Sequence, residues 1–359
     1  MPLEHFDGCT FPAPADFHVH LRSGGMMETV VPTIRKGGVN TVYVMPNLVP
    51  PITTVPQALD YQKRLQAIEP NVTFLMSLYL HPSITPQTVR DAKAAGITGI
   101  KSYPAGLTTN SDAGVVSYEA FYPVFAAMQE HDMILNLHGE APGSATNNIT
   151  VLSAEEAFLP TLLDLHARFP TLRIVLEHCT TASAIAAVAS LGPAVAATIT
   201  AHHLFMTVDD WAGDPHCFCK PVAKLPSDRE ALLRTAVSGN PKFFLGTDSA
   251  PHPARAKRGG DKIAAGVFTQ PYAVGLVLDA LEMGLEMGVV RKADVTKEKL
   301  EGFLGGFGRT FYRAPDVRRE KIVLKREGET IVDLLRSESG DVEVVPFRQG
   351  KKTWSVQWQ

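Results

Sequence analysis

Eight short runs rich in β-branched and aromatic residues recur along this 359-residue chain, separated by stretches with helical periodicity. The runs are D16-F-H-V-H20, T41-V-Y-V-M45, T73-F-L-M-S-L-Y79, I97-T-G-I-K101, M133-I-L-N-L-H138, R173-I-V-L-E-H178, V195-A-A-T-I-T200 and F243-F-L-G-T-D248. Strands that alternate with helices predict parallel βα units. This alternation fits either an open doubly wound sheet or a closed barrel.

Two observations favour the barrel. The first strand is not followed by a G-x-G-x-x-G turn, and polar residues collect at the ends of many different strands, where a barrel gathers its active site. We therefore predict the α/β class, with a (β/α)8 TIM barrel over residues 1–315. From about residue 316 the alternation stops and short β-like pieces stand in charged sequence, which predicts a small C-terminal extension, 316–359, packed on the barrel.

Local signals place several helix ends. Thr85-Pro86 offers an N-cap followed by a proline in the first turn, and Gly96 follows the last turn of the same helix. Ser153 with Glu156, and Ser227 with Glu230, have the spacing of a capping box, in which side chains and helix-start amides bond reciprocally.

Composition excludes several classes of protein. With 34 basic and 37 acidic side chains the formal charge is -3, which leaves no electrostatic footprint for nucleic acid. Four cysteines are too few for a disulfide scaffold in a chain of this length. The N-terminus lacks the basic start and apolar core of a signal peptide, and no apolar stretch is long enough to span a membrane. We expect a cytoplasmic protein with no nucleic-acid or membrane partner.

The strand ends carry metal-ligand residues. His18 and His20 lie two apart in the first strand and so share a face. Alone, each would be interpreted as a hydrogen-bonded core histidine; together they can chelate a metal. Strands five, six and eight end at His138, His178 and Asp248. Four histidines and a carboxylate at one end of a barrel predict a divalent-metal site, for which zinc is the best match.

Strand four ends in Lys101, which is unexpected in a metal site because an ammonium group has no lone pair and repels a cation. Residue type alone favours a snorkelling lysine or one paired with Asp248. A neutral lysine amine can instead react with carbon dioxide, and the resulting carbamate is an anion with two oxygens.

Several motifs, taken together and in order, resemble the amidohydrolase superfamily and, within it, the short monofunctional class of dihydroorotases. They are H18-V-H-L-R22, G99-I-K-S-Y-P-A105, L137-H-G-E140, L176-E-H-C-T-T181 and G246-T-D-S-A-P-H252, and the similarity runs over nearly the whole chain. The resemblance implies two Zn²⁺ ions per subunit, bridged by a carboxylated Lys101. One ion would be held by His18, His20, Lys101 and Asp248, and the other by Lys101, His138 and His178.

The resemblance also implies a reaction: the reversible cyclisation of N-carbamoyl-L-aspartate to L-dihydroorotate and water, in de novo pyrimidine (UMP) biosynthesis. A metal-bridging hydroxide would be the nucleophile and Asp248 the general acid and base. The family suggests a homodimer. The alternative is another cyclic amidohydrolase, such as a hydantoinase or dihydropyrimidinase, whose substrates lack the ring carboxylate. A non-catalytic relative is disfavoured because all six matched ligand positions are filled.

Other residues match the substrate contacts of the family. A guanidinium fork suits a carboxylate, which gives Arg22 a role. The full predicted set is Arg22, Asn47, His252, Thr108, Thr109, Lys220, Ala265 and Gly266. Thr108 and Thr109 lie in the loop 105–114, which is expected to close over substrate.

Two places depart from the bacterial form of the pattern. Lys220 stands where that form has an apolar residue, and the stretch 253–266 is one residue longer. Cys217-x-Cys219 lacks a second pair and is interpreted as structural. His202-His203 is interpreted as loop or pocket wall, and His216 is given no role.

Overall fold

The computed structural model describes residues 3–144, 146–259, 262–315 and 319–359. Its strands are β1 (Thr10–Pro12), β2 (Ala15–Val19), β3 (Thr41–Val44), β4 (Thr73–Leu75), β5 (Ser77–Tyr79), β6 (Gly99–Ser102), β7 (Ile134–His138), β8 (Ile174–Glu177), β9 (Val195–Ile199), β10 (Phe243–Leu245), β11 (Lys321–Thr330), β12 (Leu335–Arg336), β13 (Glu343–Val344) and β14 (Lys352–Trp358). Its α-helices are α1 (Gly24–Val30), α2 (Thr33–Lys36), α3 (Val55–Ile68), α4 (Pro86–Ala94), α5 (Tyr122–Glu130), α6 (Ala154–Arg168), α7 (Ala182–Ser190), α8 (Val208–Gly213), α9 (Pro226–Ala236), α10 (Ala254–Lys257), α11 (Ala273–Glu286), α12 (Lys297–Glu301) and α13 (Phe307–Tyr312).

The strands β2 to β10 form a closed parallel barrel in chain order. β2, β3 and β4 pair in one sheet and β5 to β10 in another, and Met76 alone separates β4 from β5. At the remaining seam Val19 bridges Ser249, and the His20 N–H donates to the Ser249 carbonyl at 3.0 Å. Counting β4 and β5 as one strand gives eight, at the positions that the sequence predicted, so the predicted (β/α)8 barrel is confirmed.

The amino-terminal end of the barrel is filled by aromatic side chains. Phe17 from β2 stacks on Tyr312 of α13 with ring centroids 4.6 Å apart, and meets Phe244 of β10 at 5.3 Å. Tyr43 packs on the other side of Tyr312, at 5.1 Å. Because α13 closes this end of the interior, the space for a ligand lies at the carboxyl ends of the strands.

The chain after the barrel forms a small antiparallel sheet. β11 pairs with β14 on one side and with β1 on the other, so β1, which precedes the barrel, joins two strands that follow it. β12 and β13 form a separate two-stranded hairpin. The predicted start of the extension at 316 falls on residues 316–318, which lie outside the described residues.

Helix ends follow the sequence signals in part. Thr85 caps α4, since its hydroxyl accepts from the Thr88 N–H at 3.2 Å, and Gly96 has a φ of +79° after the last turn. The two predicted capping boxes were wrong. Ser153 makes no capping bond to α6, because its hydroxyl accepts instead from the Thr150 N–H; α9 begins at Pro226, where Asp228 accepts from the Leu225 N–H.

The helices of the structure were also compared with the length and apolarity that a membrane-spanning helix needs. Among the helices of the described residues, none is both long and apolar enough to cross a bilayer.

Candidate functional site

The six predicted metal ligands lie together at the carboxyl ends of the barrel strands. All six side chains are buried, with exposed fractions of 8% or less. The ring centroids of His138 and His178 are 4.5 Å apart, and those of His18 and His178 are 5.1 Å apart. The chain therefore brings side chains from four separate strand ends, β2, β6, β7 and β8, to one place beside Asp248.

A β-bulge turns His18 into this site. The pairing of β2 with β3 shifts register between Asp16 and Val19, so Phe17 and His18 both face the interior. Bulges are frequent next to active sites because they redirect a side chain. His20 keeps the same face as His18, as the strand period predicts, while Val19 packs in the outer core.

Asp248 completes a first candidate position for a metal. Its Oδ1 lies 3.0 Å from His20 Nε2 and 3.3 Å from His18 Nε2. The ligand atoms of these three residues all lie within 4.8 Å of one another. Two imidazoles and a carboxylate that converge in this way form a donor set that zinc accepts, so the residues present fit the metal.

Burial favours the neutral, metal-binding form of three of these histidines, His20, His138 and His178. It lowers the pKa of His20 to about 4, although the hydrogen bond to Asp248 opposes the shift. Burial also lowers the pKa of His138 and, with the His138 charge, holds that of His178 well below its usual range. Metal binding to these rings therefore needs no proton release near neutral pH.

Lys101 belongs to this buried group, and its Nζ lies over the ring of Tyr103, 5.1 Å from the ring centroid. Its side chain is fully buried, and Nζ makes no hydrogen bond to any residue that the structure describes. An unpaired buried ammonium is costly. Burial accordingly lowers the pKa of Lys101 to about 8, against the attraction of Glu177 and Asp248, so a neutral amine is accessible near neutral pH. An orphaned buried amine is what the carbamate hypothesis requires.

Two buried glutamates orient the candidate ligands. Glu177 Oε2 lies 2.8 Å from His18 Nδ1 and accepts from the Thr198 hydroxyl at 2.6 Å. Glu140 Oε2 lies 2.7 Å from His138 Nε2. Such carboxylates fix the ring and leave the other nitrogen free for a metal. Sequence reasoning assigned neither glutamate a role, although Glu177 precedes His178 and Glu140 follows His138 by two residues.

Strained backbone and a buried aspartate also shape the site. Arg22, His178 and Asp248 are non-glycine residues with φ of 60°, 41° and 48°. Such conformations cost about 1–3 kcal/mol each and cluster at functional sites.

Buried Asp16 accepts from the Thr247 N–H at 2.7 Å and the His18 N–H at 3.1 Å, which links β2 to the strand end before Asp248.

The predicted substrate contacts surround a cavity above the candidate ligands. The cavity, including its open mouth, has about 380 Å³ of space between atoms. Seven of the eight predicted contacts line its wall: Arg22, Asn47, Thr108, Thr109, Lys220, Ala265 and Gly266. The wall also includes Tyr103 and Ala250, which the sequence did not indicate. His252 stands behind this wall, with Nε2 at 3.2 Å from Arg22 Nη2 and 2.9 Å from the Ala265 carbonyl.

Arg22 is held so that its guanidinium faces the cavity. Its Nε donates to the Pro251 carbonyl at 3.0 Å, and its own carbonyl accepts from the Tyr61 hydroxyl at 2.5 Å. Asn47 holds His20, with Oδ1 at 2.8 Å from its Nδ1. Nη1 of Arg22 and the N–H bond of Nη2 that does not point at His252 are therefore the donors available to an anion.

The loop 105–114 contributes Thr108 and Thr109 to the cavity wall. Asn47 Nδ2 donates to the Thr109 carbonyl at 3.1 Å, and Asn110 Nδ2 donates to the Asn47 carbonyl at 2.9 Å. Lys220 Nζ donates to the Leu107 carbonyl at 2.8 Å from the opposite side. The structure thus places Thr108 and Thr109 against the cavity.

A second cluster of ligand-type residues lies apart from the cavity wall. The ligand atoms of His202, His203 and Cys219 lie within 4.8 Å of one another. Both ring nitrogens of His203 have partners, since Nδ1 is 2.8 Å from the Thr200 hydroxyl and Nε2 is 3.1 Å from the Pro221 carbonyl. These bonds hold His203 in the segment that follows β9, and His203 is not among the residues that line the cavity.

The chain is similar over nearly its full length to known dihydroorotases. A search against protein-family models found no match. The chain is 51% identical over 350 residues to the probable dihydroorotase of Schizosaccharomyces pombe, which covers 97% of this chain and 98% of that protein. The crystal structure of dihydroorotase from Saccharomyces cerevisiae in complex with 5-fluoroorotic acid superposes with a TM-score of 0.90 at 46% identity, over 97% of this chain and 98% of that one.

A solved structure of much lower sequence identity also superposes on this chain. L-hydantoinase (dihydropyrimidinase) from Arthrobacter aurescens superposes with a TM-score of 0.80 at 17% identity, over 97% of this chain and 84% of that one. At this identity the match shows the shared barrel fold alone. The high identity to the yeast proteins decides between the two groups: this chain belongs to the dihydroorotase family, whose members are metal-dependent hydrolases that act on a cyclic amide.

Proposed function

We propose that this protein catalyses the reversible cyclisation of N-carbamoyl-L-aspartate to L-dihydroorotate, with release of water, in pyrimidine (UMP) biosynthesis. One observation carries the proposal: a guanidinium suited to a carboxylate, Arg22, lines the same cavity as the histidines and Asp248. Full-length identity to yeast dihydroorotases supports it. The decisive assay compares metal-replete protein on dihydroorotate, hydantoin and dihydrouracil; no turnover of dihydroorotate would overturn the proposal.

We propose two Zn²⁺ ions as the cofactor, with Lys101 carboxylated. His18, His20 and Asp248 would hold one ion, His138 and His178 the other, and Lys101 both. The orphaned Lys101 amine and the unpartnered His178 Nδ1 support this assignment. Carboxylation joins the nitrogen of the neutral amine to the carbon of carbon dioxide and releases one proton, which leaves an anionic carbamate in place of an amine that would otherwise be a buried cation. When bound, such metals activate water near neutral pH and polarise a carbonyl oxygen.

Asp248 is proposed as the general acid and base. In the direction of ring opening it would accept a proton from the attacking water and deliver it to the leaving amide nitrogen. Burial raises the pKa of this carboxyl, but the neighbouring His18 and His20 outweigh burial and hold the pKa below its usual range. The carboxylate is therefore ionised before reaction, and its place at the cavity wall gives it access to both atoms.

Arg22, with Asn47 and His252 beside it, is proposed to bind the free carboxylate of the substrate. Because Nε of Arg22 is committed to the Pro251 carbonyl, a two-pronged contact would use its Nη groups. Hydantoin and dihydrouracil carry no such carboxylate. This residue therefore favours dihydroorotate over the substrates of the alternative reaction.

Arg22→Met should raise KM for dihydroorotate roughly 100-fold, since a hydrogen-bonded charge pair contributes about 1.5–3 kcal/mol. Steady-state kinetics in both directions measure the effect. Arg168→Met is the matched control, because Arg168 pairs with Asp164 on the surface of α6 and should leave KM unchanged. An unchanged KM in Arg22→Met would contradict the assigned role.

Lys220→Met should loosen the loop 105–114 because it removes the bond to the Leu107 carbonyl. We expect kcat/KM to fall about tenfold, the equivalent of one charged hydrogen bond, together with faster amide hydrogen exchange in the loop. Lys93→Met is the control: Lys93 also donates to a backbone carbonyl, that of Asp132, but far from the cavity. Equal exchange rates in Lys220→Met and wild type would speak against this function of Lys220.

We also propose that the chain is divided into a barrel, residues 1–315, and an extension, residues 316–359. Strand β1 pairs with β11 of the extension. A cytoplasmic location agrees with a role in nucleotide synthesis. A homodimer is inferred from the family resemblance, and sedimentation equilibrium of the full chain tests it.

A further inference from the structure

Lys257 is a buried lysine that neither the metal centre nor the carboxylate site explains. It ends the short helix α10 and is 4% exposed. Its Nζ donates to three backbone carbonyls, those of Phe218 at 2.8 Å, Ala264 at 2.9 Å and Gly266 at 2.8 Å. Three acceptors use all three N–H bonds of an ammonium group.

These carbonyls belong to the two segments that form one side of the cavity. Ala265 and Gly266 line the cavity, and Phe218 lies two residues before Lys220, which also lines it. Residues 262–266 have no regular secondary structure. Two backbone hydrogen bonds hold this segment in place. The Ala264 N–H donates to the Ala256 carbonyl, and the Gly266 N–H donates to the Phe218 carbonyl. The Lys257 ammonium adds bonds on both sides of Ala265.

The consequence concerns the N–H of Ala265. In a trans peptide the C=O of one residue and the N–H of the next point in opposite directions. Because the Ala264 carbonyl points at Lys257, the Ala265 N–H points away from it. This N–H donates to no residue in the described ranges, whereas its neighbours at 264 and 266 do. Ala265 also has its own carbonyl fixed, by His252 Nε2 at 2.9 Å.

We propose that Lys257 is a positioning residue that fixes the Ala264–Ala265 peptide plane, so that the Ala265 N–H is presented to an oxygen of the bound substrate. The inference rests on the proposed function, because it takes the substrate to be dihydroorotate or N-carbamoyl-aspartate. It assigns a role to a side chain that does not itself line the cavity. The segment packs closely against Ala250 at Gly266, since a Cβ there would lie 2.5 Å from the Ala250 carbonyl oxygen.

The test is the effect of Lys257→Met on KM and kcat separately. Loss of a pre-oriented donor weakens ground state and transition state alike, so KM for dihydroorotate should rise about tenfold while kcat stays within about twofold. A purely structural lysine would instead lower the melting temperature and the active fraction without moving KM. Lys242→Met is the matched control, because Lys242 donates to the Leu191 carbonyl at 2.6 Å, behind α7 and away from the cavity.

The outcomes separate this inference from the proposed function. A raised KM in Lys257→Met, with KM unchanged in Lys242→Met, supports the inference. Wild-type turnover of dihydroorotate with an unchanged KM in Lys257→Met overturns it and leaves the proposed function standing. No wild-type turnover overturns both. If Lys257→Met does not fold, Lys257→Arg, which keeps charge and donors but displaces them, should show a smaller rise in KM; an unchanged KM there overturns the inference.

Discussion

Lys101→Met should abolish catalysis, with kcat/KM at least roughly 10³-fold below wild type, or about 4 kcal/mol of lost transition-state stabilisation. The reason is that one side chain is assigned to both metals, so its loss removes a ligand from each. Elemental analysis of the purified variant should find less zinc than in wild type. The substitution replaces a buried amine, whose pKa burial already lowers, with an apolar side chain of similar length. The fold should therefore survive, and the circular dichroism spectrum should be unchanged.

The mass of the native protein provides a second readout for the same residue. Wild type should carry the added mass of one carbon dioxide, and Lys101→Met should not. Lys224→Met is the control, since Lys224 is also buried but donates to the Val222 carbonyl. It should keep the added mass. Full activity of Lys101→Met, or added mass absent from active wild type, would contradict the bridging carbamate.

Asp248→Asn should reduce kcat by roughly 10³-fold, within the range for loss of a general acid and base. The amide keeps the size of the side chain but cannot shuttle a proton, and it is a weaker ligand. Steady-state kinetics and zinc content should be measured together, because loss of metal alone would be restored by excess zinc. Activity that excess zinc restores fully would show that Asp248 is a ligand only.

Asp279→Asn is the matched control for neutralising a buried carboxylate. Burial raises the pKa of Asp279 to about 6, and the side chain lies on α11 near the Trp354 N–H, away from the cavity. Its kcat should stay at the wild-type value. A similar loss in both variants would mean that the effect of Asp248→Asn is a general effect of destabilisation.

The barrel could be predicted from sequence because its strands are apolar, short and regularly spaced. The strand ends could be predicted too, since each carries a residue type that is rare in a core: His18, Lys101, His138 and Asp248. Their meeting at one end follows from parallel strands in a barrel. The proposals of a second metal and of the substrate came from family resemblance, because no local rule assigns a buried lysine to a metal.

Other features of the site were beyond sequence reasoning. The bulge in β2 depends on pairing with β3, a contact between segments that local preference does not encode. The positive φ of His178 and Asp248 is uncommon for any non-glycine residue, and although Asp and His adopt it more often than most, no local signal marks these two positions. Glu177 appears in the sequence as the end of a strand, and its bond to His18 joins residues far apart in the chain. The failed capping boxes show the same limit, since a loop N–H, that of Thr150, bonds to the Ser153 hydroxyl, and α9 begins at Pro226, which leaves Ser227 inside the helix.

The pairing of β1 with β11 has a consequence for how this protein is made. During synthesis β1 leaves the ribosome before the barrel strands, yet its partner β11, in which Val323 faces Thr10, follows about three hundred residues later. Domains form as units while the chain is produced, so the barrel strands can pair before this sheet exists. A segment translated late then holds one translated early, and loss of β11 would leave β1 with an unpaired edge, a surface prone to pairing with other chains.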